Sequence, residues 1–231
     1  MSGTGVVDVL THSVGAADRL ALVGGGQAFT YAELERAVAE RAQRLEADPG
    51  SVVPIVVEGA DTDTVVELLA HWRAGLVPAP LNARLSDDEL TRARDTLGRC
   101  AVPSGTQVVL WTSGTSGTPR GVALSFDNLR AITESSAERL DLGPSDVWLG
   151  SLSPAHVGGL VLIVRALLLG STLIASGPLG PADVAALLEE GLRGSSLAAA
   201  GSAGSTSPPG SALRPTHLLS LIHISEPTRL C

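Results

Sequence analysis

The chain has 231 residues, with 16 basic against 24 acidic side chains and a formal net charge of −8 at pH 7. All of the basic residues are arginine, so this chain alone cannot carry out a reaction step that needs a lysine amine. The acidic balance argues against a nucleic-acid partner. A hydrophobic share of 44% with 17% charged residues is typical of a globular protein rather than a disordered one.

We expect no secretion signal and no membrane-spanning segment in this sequence. Its first ten residues lack a basic region and contain Asp8, unlike a secretion signal. The most apolar stretch, 157–170, is too short to cross a bilayer and contains Arg165, which favours a buried helix. Two cysteines are too few for a disulfide scaffold. We therefore expect a cytoplasmic protein without a membrane span, and the pattern leaves its oligomeric state open.

Helices and extended segments alternate along the first half of the chain. Thr30 and Glu33 have the spacing of a capping box at the start of the first helix. Ser86 is placed to cap a later helix whose first turn is acidic. The periodicity predicts helices at 29–45, 61–74 and 86–97, and extended segments at 51–57 and 76–81.

The alternation continues in the second half. The pattern predicts strands at 107–111, 122–124, 147–152 and 171–176, and helices at 126–140, 158–169 and 181–190. Ser125 is placed to begin the helix at 126–140. Strands that alternate with helices predict an α/β fold with a largely parallel sheet and helices on its faces.

The composition changes at Gly194. Residues 194–218 are mainly Gly, Ser, Ala and Pro, which is typical of a linker. The run LSLIHISEPTR within 219–231 resembles the translation of a transposase adapter used in DNA library preparation. We therefore expect a folded region at 1–193, a linker-like segment at 194–218 and a non-native tail at 219–231. A natural apolar tail is the alternative for the last segment.

A loop rich in glycine and hydroxyl side chains follows the strand at 107–111. Its glycines permit close backbone approach, and successive N–H groups in such turns form a concavity that binds anions. Its hydroxyls can donate to phosphate oxygens, and Arg120 adds a charge with the fork geometry of phosphate recognition. A flexible turn is the alternative by composition alone. The candidate phosphate-binding residues are Thr112, Ser113, Gly114, Thr115, Ser116, Gly117, Thr118, Arg120 and Gly121.

The spacing of this loop differs from two common phosphate-binding motifs. It lacks both the Gly-x-x-x-x-Gly-Lys-Ser/Thr pattern and the Gly-x-Gly start of a dinucleotide fingerprint. Residues 112–121 instead resemble the signature phosphate loop of the acyl-adenylate-forming enzymes, the AMP-binding superfamily. Arg120 stands where that pattern has lysine. The resemblance implies the N-terminal part of the family's large domain, with a layered, largely parallel sheet.

Other stretches resemble motifs of the same family. They are 30–34 (TYAEL), 72–82 with its P-L-N turn, and 153–160, which is like the family's P-x-x-H-x-x-G loop. Phe126 stands where the family usually has histidine. The histidine or aromatic residue of the last motif lies beside the acyl pocket in the family, which makes His156 a candidate catalytic and substrate-binding residue.

The residues around His156 admit more than one interpretation. A lone histidine before an apolar helix is more often structural, and only the motif favours a functional role. Gly158 and Gly159 would let a substrate approach the helix, and close helix packing is an equal alternative. The five histidines show no metal-ligand spacing, so we expect no protein-held metal site.

The resemblance implies two half-reactions. A carboxylic acid attacks the α-phosphate of ATP, with Mg²⁺ bridging the phosphates, to give an acyl-adenylate and pyrophosphate. A thiol, commonly that of coenzyme A, then displaces AMP. Residues 153–169 look most like o-succinylbenzoate–CoA ligases of menaquinone biosynthesis. General fatty or aromatic acyl-CoA synthetases and peptide-synthetase adenylation domains are alternatives, as is a nucleotide-binding fragment without catalysis.

Several later motifs of the family have no match after Gly191. They are the aromatic-x-Thr-Glu motif, the ribose-binding aspartate and the C-terminal catalytic lysine, and the chain contains no lysine at all. We therefore expect these 231 residues to be an N-terminal fragment of an AMP-forming acid–thiol ligase, without ligase activity of its own.

Overall fold

The computed structural model describes residues 5–112, 119–176 and 228–229. The predicted loop residues 113–118, the predicted helix at 181–190 and the linker-like segment lie outside these ranges. None of the helices within the ranges is long and apolar enough to cross a membrane.

From residue 31 to residue 176 the described helices and strands follow the order that the sequence predicts, and two further strands, not predicted, precede the first helix. The helices are α1 (Tyr31–Ala42), α2 (Thr62–Arg73), α3 (Asp87–Leu97), α4 (Phe126–Leu140) and α5 (Val157–Leu168). The strands are β1 (Leu20–Gly24), β2 (Gln27–Thr30), β3 (Val52–Val57), β4 (Val77–Asn82), β5 (Thr106–Thr112), β6 (Arg120–Ser125), β7 (Val147–Gly150), β8 (Thr172–Ala175) and β9 (Thr228–Arg229). A single 3-10 turn, Val9–His12, precedes β1.

The strands form parallel and antiparallel pairs. In one sheet the order is β2-β1-β8-β7, with β8 parallel to both β1 and β7. Strands β3 and β4 are also parallel, whereas β1 with β2 and β5 with β6 are antiparallel. Antiparallel pairing at β5 and β6 follows from their short connection, because a parallel pair needs a long crossover. The predicted α/β fold with parallel sheet elements is therefore confirmed, with antiparallel pairs added to it.

Three helices begin at capping boxes. At α1 the Thr30 hydroxyl accepts from the Glu33 backbone N–H, and the Glu33 carboxylate accepts from the Thr30 backbone N–H at 2.8 Å. The same reciprocal pairing occurs at Ser86 before α3 and at Ser125 before α4. These bonds satisfy backbone donors that a helix start leaves without partners, which fixes where each helix begins.

Two apolar clusters hold the elements together. The larger one contains Trp72, Trp148 and most of α5, which is buried on nearly all sides as its composition predicts. The smaller one joins β4, α3 and β5 through residues such as Leu81, Leu97 and Val109. This second cluster sets the end of β4 beside the end of β5, where the candidate site lies.

Candidate functional site

An open cavity of about 1100 Å³ lies where β4, β5, β6 and the start of α5 meet one face of α3. Its charged lining residues are three arginines and two carboxylates: Arg84, Arg92, Arg120, Glu89 and Asp95. Arginine charge thus exceeds carboxylate charge in this lining, although the whole chain carries a net charge of −8. An excess of arginine favours an anionic ligand in the cavity.

The hairpin of β5 and β6 brings the two ends of the predicted phosphate loop together. Thr112 and Arg120 are register partners across the pair, and the Thr112 hydroxyl donates to the Arg120 backbone carbonyl at 3.3 Å. Both residues line the cavity. The loop between them therefore begins and ends at the cavity wall, while its residues 113–118 lie outside the described part of the chain.

Gly121 is placed differently from the sequence expectation. The predicted loop extends to this residue, but β6 begins at Arg120 and Gly121 pairs with Trp111 inside the strand. Gly121 is buried, and a Cβ there would lie 3.2 Å from Cγ1 of Val109. The strand starts earlier than expected because the antiparallel pairing continues up to Thr112 and Arg120. A contact between Gly121 and a nucleotide stays a prediction.

His156 occupies the N-cap position of α5. Its backbone is extended, and its side chain makes no capping hydrogen bond. The backbone holds the residue in place, since its N–H donates to Ser153 at 3.0 Å and its carbonyl accepts from Leu160 at 3.1 Å. The imidazole is exposed and lines the cavity. The cap geometry thus leaves the ring available for contact with a bound molecule.

Asn82 belongs to the site although the sequence analysis did not select it. It is the last residue of β4, and its Nδ2 lies 3.3 Å from Nε2 of His156. Its side-chain oxygen accepts from the backbone N–H of Arg84 at 2.9 Å. The only sequence signal was its place in the P-L-N turn, because the contact joins residues that are distant in the chain.

The two glycines at the start of α5 differ in environment. Gly159 is buried, and a Cβ there would lie 2.4 Å from the Ser153 carbonyl oxygen and 2.6 Å from that of Leu152. Close packing therefore requires glycine at this position. Gly158 is half-buried in the first helical turn. Substrate contact by either glycine stays a prediction.

Glu89 lines the cavity but is also part of a helix cap. The backbone N–H and the hydroxyl of Ser86 both donate to its carboxylate at 2.8 Å. These hydrogen bonds hold the pKa of the Glu89 carboxyl below its usual range, the backbone bond most strongly. Glu89 therefore stays ionised as a fixed part of the wall. Within the described ranges, no group of three or more His, Cys, Asp and Glu side chains is arranged to hold a metal ion.

The site can be compared with known proteins. The family model described as AMP-binding enzyme matches residues 11–102 and 98–193. A 2-succinylbenzoate–CoA ligase of Bacillus cereus is 26% identical over 195 residues, which covers 68% of this chain and 40% of the relative. The corresponding ligase of Bacillus mycoides is 36% identical over 66 residues, or 29% of this chain and 14% of that protein. The chain therefore spans well under half the length of these relatives.

A solved structure has a similar fold. It is o-succinylbenzoate coenzyme A synthetase from Bacillus subtilis in complex with ATP and magnesium ion. The TM-score is 0.68 at 21% identity, over 79% of this chain and 60% of the other. The family match extends over most of the sequence, so the chain belongs to the AMP-binding enzyme family.

Proposed function

We propose that this chain carries the ATP- and carboxylate-binding part of an AMP-forming acid–CoA ligase. One observation supports this most strongly: Arg120, at the end of the candidate phosphate loop, and His156 line the same cavity. By resemblance to the family, the position of Arg120 would contact ATP and the position of His156 would contact the carboxylic acid, the two substrates of the first half-reaction. Their meeting in one cavity is what adenylate formation requires, since the carboxylate must lie next to the α-phosphate.

The proposed first step needs positioning and charge stabilisation more than proton transfer. A carboxylate oxygen bonds to the α-phosphorus of ATP, and the bond from that phosphorus to the bridging oxygen breaks to release pyrophosphate. The carboxylate is already nucleophilic, so no general base is required. Arg120 and the loop N–H groups would stabilise negative charge on the phosphates, while His156 would orient the carboxylate.

The second step would transfer the acyl group to coenzyme A. The thiol sulfur bonds to the acyl carbon, the bond from that carbon to the AMP oxygen breaks, and the thiol proton is released to solvent. Mg²⁺ would supply charge neutralisation on the phosphates. Thr112 would offer the cation its hydroxyl, an oxygen ligand of the kind that Mg²⁺ prefers. We place this activity in the cytoplasm, where ATP and coenzyme A are available.

We propose o-succinylbenzoate as the acid substrate. The relatives named above are ligases for this acid, and residues 153–169 resemble the same enzymes. The acid carries two carboxylates, and the cavity lining includes Arg84 and Arg92 besides Arg120. Arg84 and Arg92, which are not assigned to the phosphates, would each offer a guanidinium to a carboxylate, so a dianion would find more partners here than a fatty acid or benzoate, which has one carboxylate.

Isothermal titration of the chain tests this proposal. We expect o-succinylbenzoate to bind in the presence of ATP and Mg²⁺, and benzoate and a medium-chain fatty acid to bind at least tenfold more weakly, because each has one carboxylate. Tighter binding of the fatty acid would favour a general acyl-CoA synthetase. Binding of ATP without any of the acids would favour the non-catalytic nucleotide-binding alternative. Either result would contradict the proposed substrate.

A further inference from the structure

The imidazole of His156 makes one side-chain hydrogen bond to the described residues. Its Nε2 lies 3.3 Å from Nδ2 of Asn82. The two residues come from different elements, because Asn82 ends β4 and His156 precedes α5. The contact therefore fixes the ring from outside its own helix.

The orientation of the Asn82 amide follows from its other contact. The backbone N–H of Arg84 lies 2.9 Å from the Oδ1 atom of Asn82. A backbone N–H can only donate, so the atom that faces it must be the amide oxygen. The NH₂ group of Asn82 is consequently the atom that faces His156. That group can donate but cannot accept.

This orientation determines the state of the ring. Because the Asn82 NH₂ group donates, Nε2 of His156 must accept and cannot carry a proton. The neutral ring must then carry its proton on Nδ1. We propose that Asn82 is a positioning residue that holds His156 in the Nδ1–H tautomer, with Nδ1–H as the donor to a substrate carboxylate.

The second part of this inference rests on the proposed function, whereas the first does not. The tautomer is a property of the unliganded protein. The donor role requires a carboxylate in the cavity that His156 lines. A fixed N–H donor would bind a carboxylate in one orientation without having to select a tautomer first.

Nitrogen NMR of the histidine-labelled, unliganded 231-residue chain tests the tautomer directly. The buffer should be alkaline enough to keep imidazoles neutral, and His156→Gln identifies the His156 signals. We expect a protonated, pyrrole-type Nδ1 and an unprotonated, pyridine-type Nε2. An Nε2–H tautomer in this spectrum would overturn the proposal.

Asn82→Asp separates positioning from a merely structural role. An aspartate retains an oxygen that accepts from the Arg84 N–H, and it turns the other atom into an acceptor facing Nε2. We expect the His156 tautomer to invert in this variant. Asn128→Asp is the control, because Asn128 also accepts a backbone N–H in a helix cap, at 3.0 Å, on the separate helix α4. It should leave the His156 signals unchanged.

Binding measurements on the same proteins keep the two claims distinguishable. We expect Asn82→Asp to weaken o-succinylbenzoate binding about tenfold. If the wild type binds no acid but shows the Nδ1–H tautomer, the proposed function fails and the role of Asn82 stands.

The variants test the role of Asn82 itself. If Asn82→Asp folds and His156 keeps the Nδ1–H tautomer, that role is overturned. If Asn82→Asp does not fold, Asn82→Ala replaces it. We expect His156 to show a mixture of both tautomers in Asn82→Ala. A ring that stays entirely in the Nδ1–H tautomer would contradict the proposal.

Discussion

Thr112 and Arg120 face each other across the β5–β6 pair, and the Thr112 hydroxyl donates to the Arg120 carbonyl oxygen at 3.3 Å. This contact closes the base of the loop that carries the phosphate-binding signature. The residues on either side of the loop, Thr112 and Arg120, are therefore held by strand pairing at the cavity wall. Arg120 lines the same cavity as His156.

Arg120→Ala should weaken binding of ATP with Mg²⁺. The substitution removes the charge next to the loop, and loss of a charge-assisted hydrogen bond to phosphate costs about 1.5–3 kcal/mol, or about 10- to 150-fold in Kd. Arg120→Lys restores the residue that the family pattern usually has and should retain most of the affinity. Isothermal titration measures all three proteins.

The control for this comparison is Arg130→Ala. Arg130 is half-exposed on α4 and forms ion pairs with Asp127 at 3.2 Å and Glu134 at 3.7 Å, and it does not line the cavity. Its removal changes the net charge by the same amount and should leave ATP affinity unaltered. Equal ATP affinity of Arg120→Ala and the wild type would show that Arg120 does not contact the phosphates.

Gly159→Ala should destabilise the fold. A Cβ at this position would lie 2.4 Å from the Ser153 carbonyl oxygen, so the backbone would have to move. Alanine improves helix propensity by about 1 kcal/mol, but overpacking costs about 1–3 kcal/mol, so we expect a net loss. Urea unfolding measures the change. Gly143→Ala is the control, because a Cβ there meets no atom within 4 Å. An equal loss of unfolding free energy in Gly159→Ala and Gly143→Ala would contradict the claim that close packing requires glycine at position 159.

Glu33→Gln should reduce the acid sensitivity of the fold. The backbone N–H of Thr30, and then its hydroxyl, hold the pKa of the Glu33 carboxyl below its usual range. The stability from this cap is present above the unfolded pKa and is lost as pH falls through the lower folded pKa. Glutamine keeps an accepting oxygen but does not titrate. The free energy of unfolding should therefore fall less steeply below about pH 5 in the variant than in the wild type.

Glu138→Gln provides the comparison for this experiment. Glu138 is exposed on α4 and takes no part in a capping box. Its substitution removes a carboxylate without removing a cap, so the free energy of unfolding should depend on pH as steeply as it does in the wild type. If the free energy of unfolding of Glu33→Gln falls with pH as steeply as that of the wild type, the hydrogen bonds between Thr30 and Glu33 do not contribute to the pH dependence.

The chain has one tyrosine, so its ionisation can be followed without overlap. Burial raises the pKa of Tyr31 to about 12, and its hydroxyl donates to the Ser171 carbonyl at 2.8 Å. The raised pKa means that this stabilisation is complete below the unfolded pKa and is lost as pH rises toward about 12. Ultraviolet titration should show phenolate only with or after the loss of circular dichroism. Ionisation at ordinary pH in a fully folded protein would contradict this environment.

Local features made most of the helices predictable. The capping boxes at Thr30 and Ser86 and the cap at Ser125 mark helix starts, because each depends on residues three positions apart. The apolar content of α5 likewise predicted its burial. These signals lie within one turn of chain and need no knowledge of distant partners.

Features that depend on pairing between strands were not predictable in the same way. The β1–β2 hairpin was missed, because its strands are short and its turn is signalled only by glycines, with positive φ at Gly25 and Gly26. The start of β6 at Arg120 depends on its pairing with Thr112. The contact between Asn82 and His156 requires two elements to meet at the end of the sheet, which no local spacing reveals.

Thermal unfolding of the wild-type chain with and without ATP and Mg²⁺ tests the central claim most directly. A ligand that binds only the folded chain stabilises it by an amount that rises with ligand concentration. We predict a saturable increase in Tm with ATP and Mg²⁺ that is much smaller in Arg120→Ala. A Tm that does not respond to ATP and Mg²⁺ at any concentration would contradict a phosphate-binding site in this chain.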